Sequence, residues 1–268
     1  MGYPITDLIN EKEEINPIVK DSLTRTEIKS ILKESIDFTF LKNSSEDSLK
    51  KLLDIAIEDE FKHICTYSGL VEKAKKYLDE RFNDIVICSV AGFPYNSNGE
   101  KICESGDEHQ KRTLKEAELA LNTGAKEIDI FWDITNFKFG VYGYVGKKIK
   151  DVINLVKKRG IDNILKVIVE TCQLNETEIK DACWVISESG ADFIKSSTGF
   201  DKYGARIRDI ELMSKKIKNL ERKIAIKASG GINNLEEAIN FLKIPYVERL
   251  GMGSAAPKII KEVDNYLL

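Results

Sequence analysis

From Ser35 to the end of the chain, eight short apolar runs alternate with eight amphipathic stretches, separated only by glycines and brief polar segments. Few topologies accept such a pattern. A run of four to eight apolar residues bounded by turn residues reads as a buried strand, and an apolar period of 3.6 residues reads as a helix packed along one side. Strands are expected at 36–41, 63–67, 85–91, 127–132, 165–170, 193–197, 224–228 and 247–250. Helices are expected at 46–60, 71–81, 112–121, 147–158, 176–189, 207–220, 235–242 and 257–267. Eight such pairs without a break in composition predict an α/β fold, the closed (β/α)8 TIM barrel, whose chemistry sits where the strands run out at their carboxyl ends. An open doubly wound sheet would ordinarily show a glycine fingerprint after its first strand, and Phe40-Leu41-Lys42-Asn43-Ser44-Ser45 has none. Residues 35–268 are read as one barrel domain, which a 268-residue chain with 42% hydrophobic side chains can fill. Residues 1–34 are read as an N-terminal helical leader, with Thr24-Arg25-Thr26-Glu27 forming a helix start ahead of Ile28, Ile31 and Leu32.

Charge and cysteine usage narrow the function. The 41 basic and 44 acidic side chains nearly cancel, so there is no basic footprint for nucleic acid or an anionic membrane surface, and an anionic substrate must be attracted locally. No apolar run approaches membrane-spanning length, and residues 1–41 lack the order of a secretory signal, so a cytoplasmic location is expected. Cys65, Cys88, Cys103, Cys172 and Cys183 are scattered without the close pairing of a zinc site or redox motif, and are read as reduced thiols.

Two segments draw attention. Phe193-Ile194-Lys195-Ser196-Ser197-Thr198-Gly199-Phe200 and Ile224-Ala225-Ile226-Lys227-Ala228-Ser229-Gly230-Gly231 are both apolar runs that deliver one lysine to a small, glycine-bearing loop. On neighbouring strands the two ammonium groups would crowd each other, which lowers the pKa of one and frees an amine able to add to a carbonyl. A lysine at a strand end with its stem packed and its head in water is the plainer alternative. Lys166 opens its strand and so is expected below the rim, as an interior charge met by Glu170 or Asp129, or solvated. Asp129 is one carboxylate within an apolar run, which calls for a cationic partner across the barrel. Asp133 is expected at the exposed rim, and Asp37 and Thr39 on one face of the first strand. Gly230-Gly231 and Gly251-Met252-Gly253-Ser254 place bare N–H groups after strands seven and eight, where barrels of this kind hold phosphate. His63 and His109 are read as structural or solvent-exposed, and 95–110 as a long loop on the catalytic face.

With these residues in place, the chain resembles the deoxyribose-phosphate aldolase family. The resemblance rests on Asp37-Phe38-Thr39-Phe40-Leu41-Lys42, Val90-Ala91-Gly92-Phe93-Pro94, Gly124-Ala125-Lys126-Glu127-Ile128-Asp129, Leu165-Lys166-Val167-Ile168-Val169-Glu170-Thr171-Cys172, the Lys195 and Lys227 segments, and Arg249-Leu250-Gly251-Met252-Gly253-Ser254. It implies a class I aldolase that needs no metal or cofactor and reversibly cleaves 2-deoxyribose 5-phosphate to acetaldehyde and glyceraldehyde 3-phosphate. The Schiff-base lysine then falls on Lys195, the second lysine on Lys227 and the proton-relay acid on Asp129. The phosphate end falls on Gly199, Gly230, Gly231, Gly251, Gly253 and Ser254, and Asp37, Thr39, Cys65, Lys166 and Thr198 fall near the pocket. The implied partners are a sugar phosphate and an aldehyde, and a homo-oligomer is expected. Another class I sugar-phosphate aldolase, or a silent sugar-phosphate binder, are the other readings. The chain departs from the pattern at Phe38, at Trp132 and Asp133, in the length of 95–110, and at Phe200, where some members carry a base for phosphate. Lys202 and Arg206 are the substitutes at hand.

Overall fold

The computed structural model describes residues 23–42, 45–81, 84–104 and 106–265. The part of the expected leader before residue 23, and the end of the last expected helix, lie outside the described residues. Eight parallel strands close on themselves in sequence order. They are β1 (Ile36–Thr39), β2 (His63–Tyr67), β3 (Val86–Ala91), β4 (Glu127–Phe131), β5 (Ile164–Ile168), β6 (Phe193–Lys195), β7 (Ala225–Ser229) and β8 (Val247–Met252). Closure comes from β1, which pairs with β2 through Asp37 and His63 and with β8 through Asp37 and Gly251. The helices are α1 (Arg25–Ser35), α2 (Glu46–Glu58), α3 (Val71–Asp79), α4 (Gly106–Thr123), α5 (Ile134–Lys138), α6 (Tyr142–Arg159), α7 (Glu176–Ser189), α8 (Ile207–Lys218), α9 (Leu235–Lys243) and α10 (Ala256–Glu262).

Alternation along each strand separates two cores. Outward residues such as Ile64, Ile128, Val167, Ile194, Ile226 and Leu250 merge with the inner faces of the helices into one large apolar layer. Inward residues form a smaller cluster of Leu41, Cys65, Cys88, Val90, Phe93 and Ile168, capped by Tyr67, Tyr95, Phe131 and Phe200. The expected capping box holds: Thr24 accepts from the Glu27 N–H while the Glu27 carboxylate accepts from the Thr24 N–H. Through Ile28 and Leu32, α1 joins the outer apolar layer.

Two features differ from the sequence reading. Helix α4 begins at Gly106, six residues before the first strongly periodic position, because its polar first turn (Asp107, Glu108) carries no apolar signal. His109 therefore lies on a helix rather than in a loop, and the irregular connection ends earlier than residue 110. The short helix α5, capped by Asp133, has too few turns to show a period.

Candidate active site

The centre of the barrel is charged. Strand β4 turns Glu127 and Asp129 inward, two residues apart, and the strand register brings Lys166 beside Asp129 and Lys195 beside Lys227. Asp129 gathers three lysines: Lys195 Nζ donates to Oδ2 at 2.8 Å, Lys227 Nζ to the same oxygen at 2.7 Å, and Lys166 Nζ to Oδ1 at 3.1 Å. Lys227 also donates to Asp37, and Lys166 to Glu127. Arg249 closes the network, with Nη1 2.8 Å from Asp37 Oδ1 and Nη2 3.0 Å from Glu127 Oε1. Lys166, Lys195, Lys227, Asp37 and Asp129 are each at most 1% exposed.

The electrostatics follow from that packing. Burial alone would protonate Asp129, but Lys166, Lys195 and Lys227 together hold its carboxyl well below the usual carboxylate range. Asp37 is treated alike: burial is opposed and outweighed by Lys227, Lys166 and Arg249. Burial disfavours the charge on Lys227, and the Asp129 and Asp37 carboxylates more than offset it, so its pKa lies above the ordinary lysine range. Lys166 is raised in the same way, with Asp129 the main opposing charge to its burial. Three carboxylates thus face four cations. Lys166 has carboxylate oxygens of Glu127, Asp129 and Asp37 within 4 Å, while Lys227 has Asp129 and Asp37, and Arg249 has Asp37 and Glu127. Among the described residues, Lys195 has Asp129 alone.

The expected residues are thus partly gathered. Lys195, Lys227, Asp129, Asp37 and Lys166 meet in one compartment, although Lys195, at the end of β6, and Lys227, in the middle of β7 rather than at its end, are bridged by a carboxylate oxygen rather than bare to each other. Cys65 is buried in the inner cluster, and neighbouring Cys88 donates its thiol to Asp129 Oδ1 at 3.1 Å. Thr39 turns its hydroxyl to the Asp37 carbonyl at 2.8 Å. Thr198 donates its N–H, at 3.3 Å, and its hydroxyl to Glu170, so Glu170 is not the partner of Lys166. Asp133 is not exposed: its carboxylate caps α5 and meets Lys148 at 3.0 Å, with 7% of its side chain accessible. Phe38 faces the helices, 5.0 Å from the Phe61 ring. Sequence reasoning passed over Glu127 and Arg249, although they stand two residues before Asp129 and Gly251 and so share their faces, and it read His63 only as structural or solvent-exposed. His63 is buried, with Nδ1 3.4 Å from Glu127 Oε1.

Cys65, Cys88 and Asp129, and likewise Asp37, Cys88 and Glu127, lie close enough together to surround a metal ion. The same carboxylates already carry lysine and arginine partners, so an ion there would have to displace ammonium groups.

Above this layer, Phe93, Tyr95 and Phe200 form an aromatic cover, with the Tyr95 and Phe200 rings stacked at 5.1 Å. Beside it opens a cleft of about 580 Å³ lined by Thr39, Lys42, Lys51, Thr198, Gly199, Phe200, Gly230, Gly231, Gly251, Gly253 and Ser254, among others. All six expected phosphate positions therefore line one cleft. Its walls meet closely: Gly230 has φ +81°, and a Cβ there would lie 2.9 Å from Gly199 Cα. Among the described residues, the N–H groups of Gly231, Gly253 and Ser254 donate to no acceptor within the protein. No described helix is long and apolar enough to cross a membrane.

Comparison with known proteins agrees with this geometry. Residues 32–256 match the model of the DeoC/LacD family aldolases. A deoxyribose-phosphate aldolase of Mycoplasmopsis pulmonis is 41% identical over 82% of this chain and 91% of its own length, and one of Caldanaerobacter subterraneus subsp. tengcongensis is 37% identical over 85% and 91%. A solved structure from Coccidioides immitis, described as a candidate deoxyribose-phosphate aldolase, superposes with a TM-score of 0.78 at 28% identity, covering 97% of this chain and 93% of that one. With the barrel, its buried lysine centre and these matches in agreement, the chain belongs to the DeoC/LacD aldolase family.

Proposed function

We propose that this chain is a deoxyribose-phosphate aldolase in which Lys195 is the nucleophile. The observation that carries the assignment is the unequal sharing of carboxylates: Lys166, Lys227 and Arg249 each have two or more, and Lys195 has one. With three carboxylates against four cations, loss of one proton makes the buried cluster neutral, and Lys195 is the cation held by the fewest opposing charges. Its free amine adds to C1 of the sugar aldehyde, giving a carbinolamine that loses water to an iminium. The iminium draws in the electron pair as the C2–C3 bond breaks and the C3 hydroxyl gives up its proton, releasing glyceraldehyde 3-phosphate and leaving an enamine. Protonation at C2 and addition of water to the regenerated iminium release acetaldehyde and Lys195. Asp129, bonded to both Lys195 and Lys227, is the group through which protons move, and Lys227 stays charged to favour that transfer. The glycines of the adjoining cleft take the 5-phosphate.

Borohydride reduction in the presence of acetaldehyde tests the assignment. An ethyl group is expected on the peptide that contains Lys195. Finding it on Lys227 or Lys166, or on no lysine at all, refutes the role. Lys195→Ala is expected to remove essentially all turnover while the far-ultraviolet circular dichroism is retained.

A further inference from the structure

At residue 200, where the family resemblance implies a base for phosphate in some members, the cleft carries an aromatic ring. Phe200 packs its ring against Phe93 and Tyr95. The nearby candidates are committed or absent: Arg206 is paired with Asp209 at 3.0 and 3.1 Å and stacks on Tyr203, and Lys202 does not line the cleft. Asn233, which does line it, spends its side-chain amide on the Gly231 carbonyl at 2.8 Å. Yet the cleft is built for an anion. In a chain with more acidic than basic residues, no carboxylate lines it, and three backbone N–H groups within it lack acceptors among the described residues.

Two cations do line the cleft, from the β1 and α2 side: Lys42, just past the end of β1, and Lys51, on α2. Neither has a carboxylate partner among the described residues, whereas the neighbouring Lys50 and Lys73 are paired with Glu46. Lys42 Nζ lies over the Phe200 ring, 4.8 Å from its centroid. An aromatic face attracts an ammonium without neutralising its charge, so the ring can steady Lys42 at the cleft and leave its donors available.

Resting on the aldolase reading above, we propose that Lys42 and Lys51 are the specificity-determining cations for the substrate phosphate, with Phe200 serving as the platform for Lys42. The phosphate dianion is then held between backbone N–H groups of the β7 and β8 loops on one side and two ammonium groups on the other. Charge-assisted contacts of this kind, from side chains exposed to water, are worth about tenfold in binding when both are removed.

The test compares the parent enzyme with Lys42→Ala, Lys51→Ala and the double variant, by two independent readouts. The first is the ratio of kcat/KM for 2-deoxyribose 5-phosphate to that for unphosphorylated 2-deoxyribose. The second is calorimetric binding of inorganic phosphate, which requires no turnover. In the double variant the ratio is expected to fall about tenfold or more, with phosphate affinity falling in parallel and arginine at both positions recovering most of each. A double variant within twofold of the parent in both readouts overturns the proposal. If the parent binds phosphate but cleaves neither sugar, the aldolase reading fails, and the calorimetry alone still decides whether the two lysines hold the anion.

Discussion

Arg249 shows how one side chain can matter to a site through the carboxylates it holds. It forks between Asp37 and Glu127, so removing it leaves two buried carboxylates each short of a partner. Arg249→Ala should cost about 3 kcal/mol, because breaking one side of a buried ion pair exposes the desolvation cost of the other. A lower urea midpoint would record it, and Arg249→Lys should recover only part, since one ammonium cannot replace a two-pronged fork. At this scale the sequence was partly legible. Lys195, Lys227 and Asp129 stood out because each is a single charge in an apolar run, and charge inside a strand demands a reason. Glu127 went unnoticed because it opens its strand, where a charge also fits solvent, and Arg249 because it follows Glu248 in a strand that does not read as purely apolar. Glu170 was offered to Lys166 on proximity in sequence, but its backbone is left-handed (φ 57°) at the end of β5 and turns the side chain to Thr198.

Among the elements, the glycine loops after β6, β7 and β8 carry the sharpest expectation. Gly230 is left-handed and in near contact with Gly199, while Gly204 approaches so closely that a Cβ there would lie 2.2 Å from the Gly230 carbonyl oxygen. Gly230→Ala should therefore cost about 2 kcal/mol in strain and contact, and weaken phosphate binding by forcing the two loops apart. Urea unfolding and phosphate calorimetry measure the two effects separately, and an alanine variant matching the parent in both contradicts the packing argument. The order and type of the barrel elements were readable because period-two and period-3.6 burial are local signals. Strand ends and the start of α4 were less so, since a polar helical turn and a polar loop look alike until something packs against them. Gly204 gave no signal, because the reason for its small size lies in a different loop.

The molecule as a whole stores charge inside its barrel, and acid should find it out in two stages. His63 is pushed down to about 4 from its ordinary 6.5, first by burial and then by the Arg249 guanidinium. Between those values the unfolded chain binds a proton that the folded chain refuses, so stability falls as pH drops through that window, by up to roughly 3 kcal/mol. Asp37, Asp129 and Glu127 are all held below their ordinary values, so their contribution is present above about pH 4 and is lost only below it. His63→Gln should shrink the fall in melting temperature between pH 7 and pH 5 while leaving the steeper loss below pH 4. An unchanged fall over the upper window removes His63 as its cause. By itself the sequence determined the succession of strands and helices, the placing of small residues after the last strands, and most of the strands that deliver a charge inward, because all of these depend on residues a few positions apart. Only the tertiary structure decided which charges meet. Closing the barrel brings Asp37 to Lys227 across 190 residues and to Arg249 across 212, and it is this distribution of carboxylates that leaves Lys195 with one partner where the other cations have at least two.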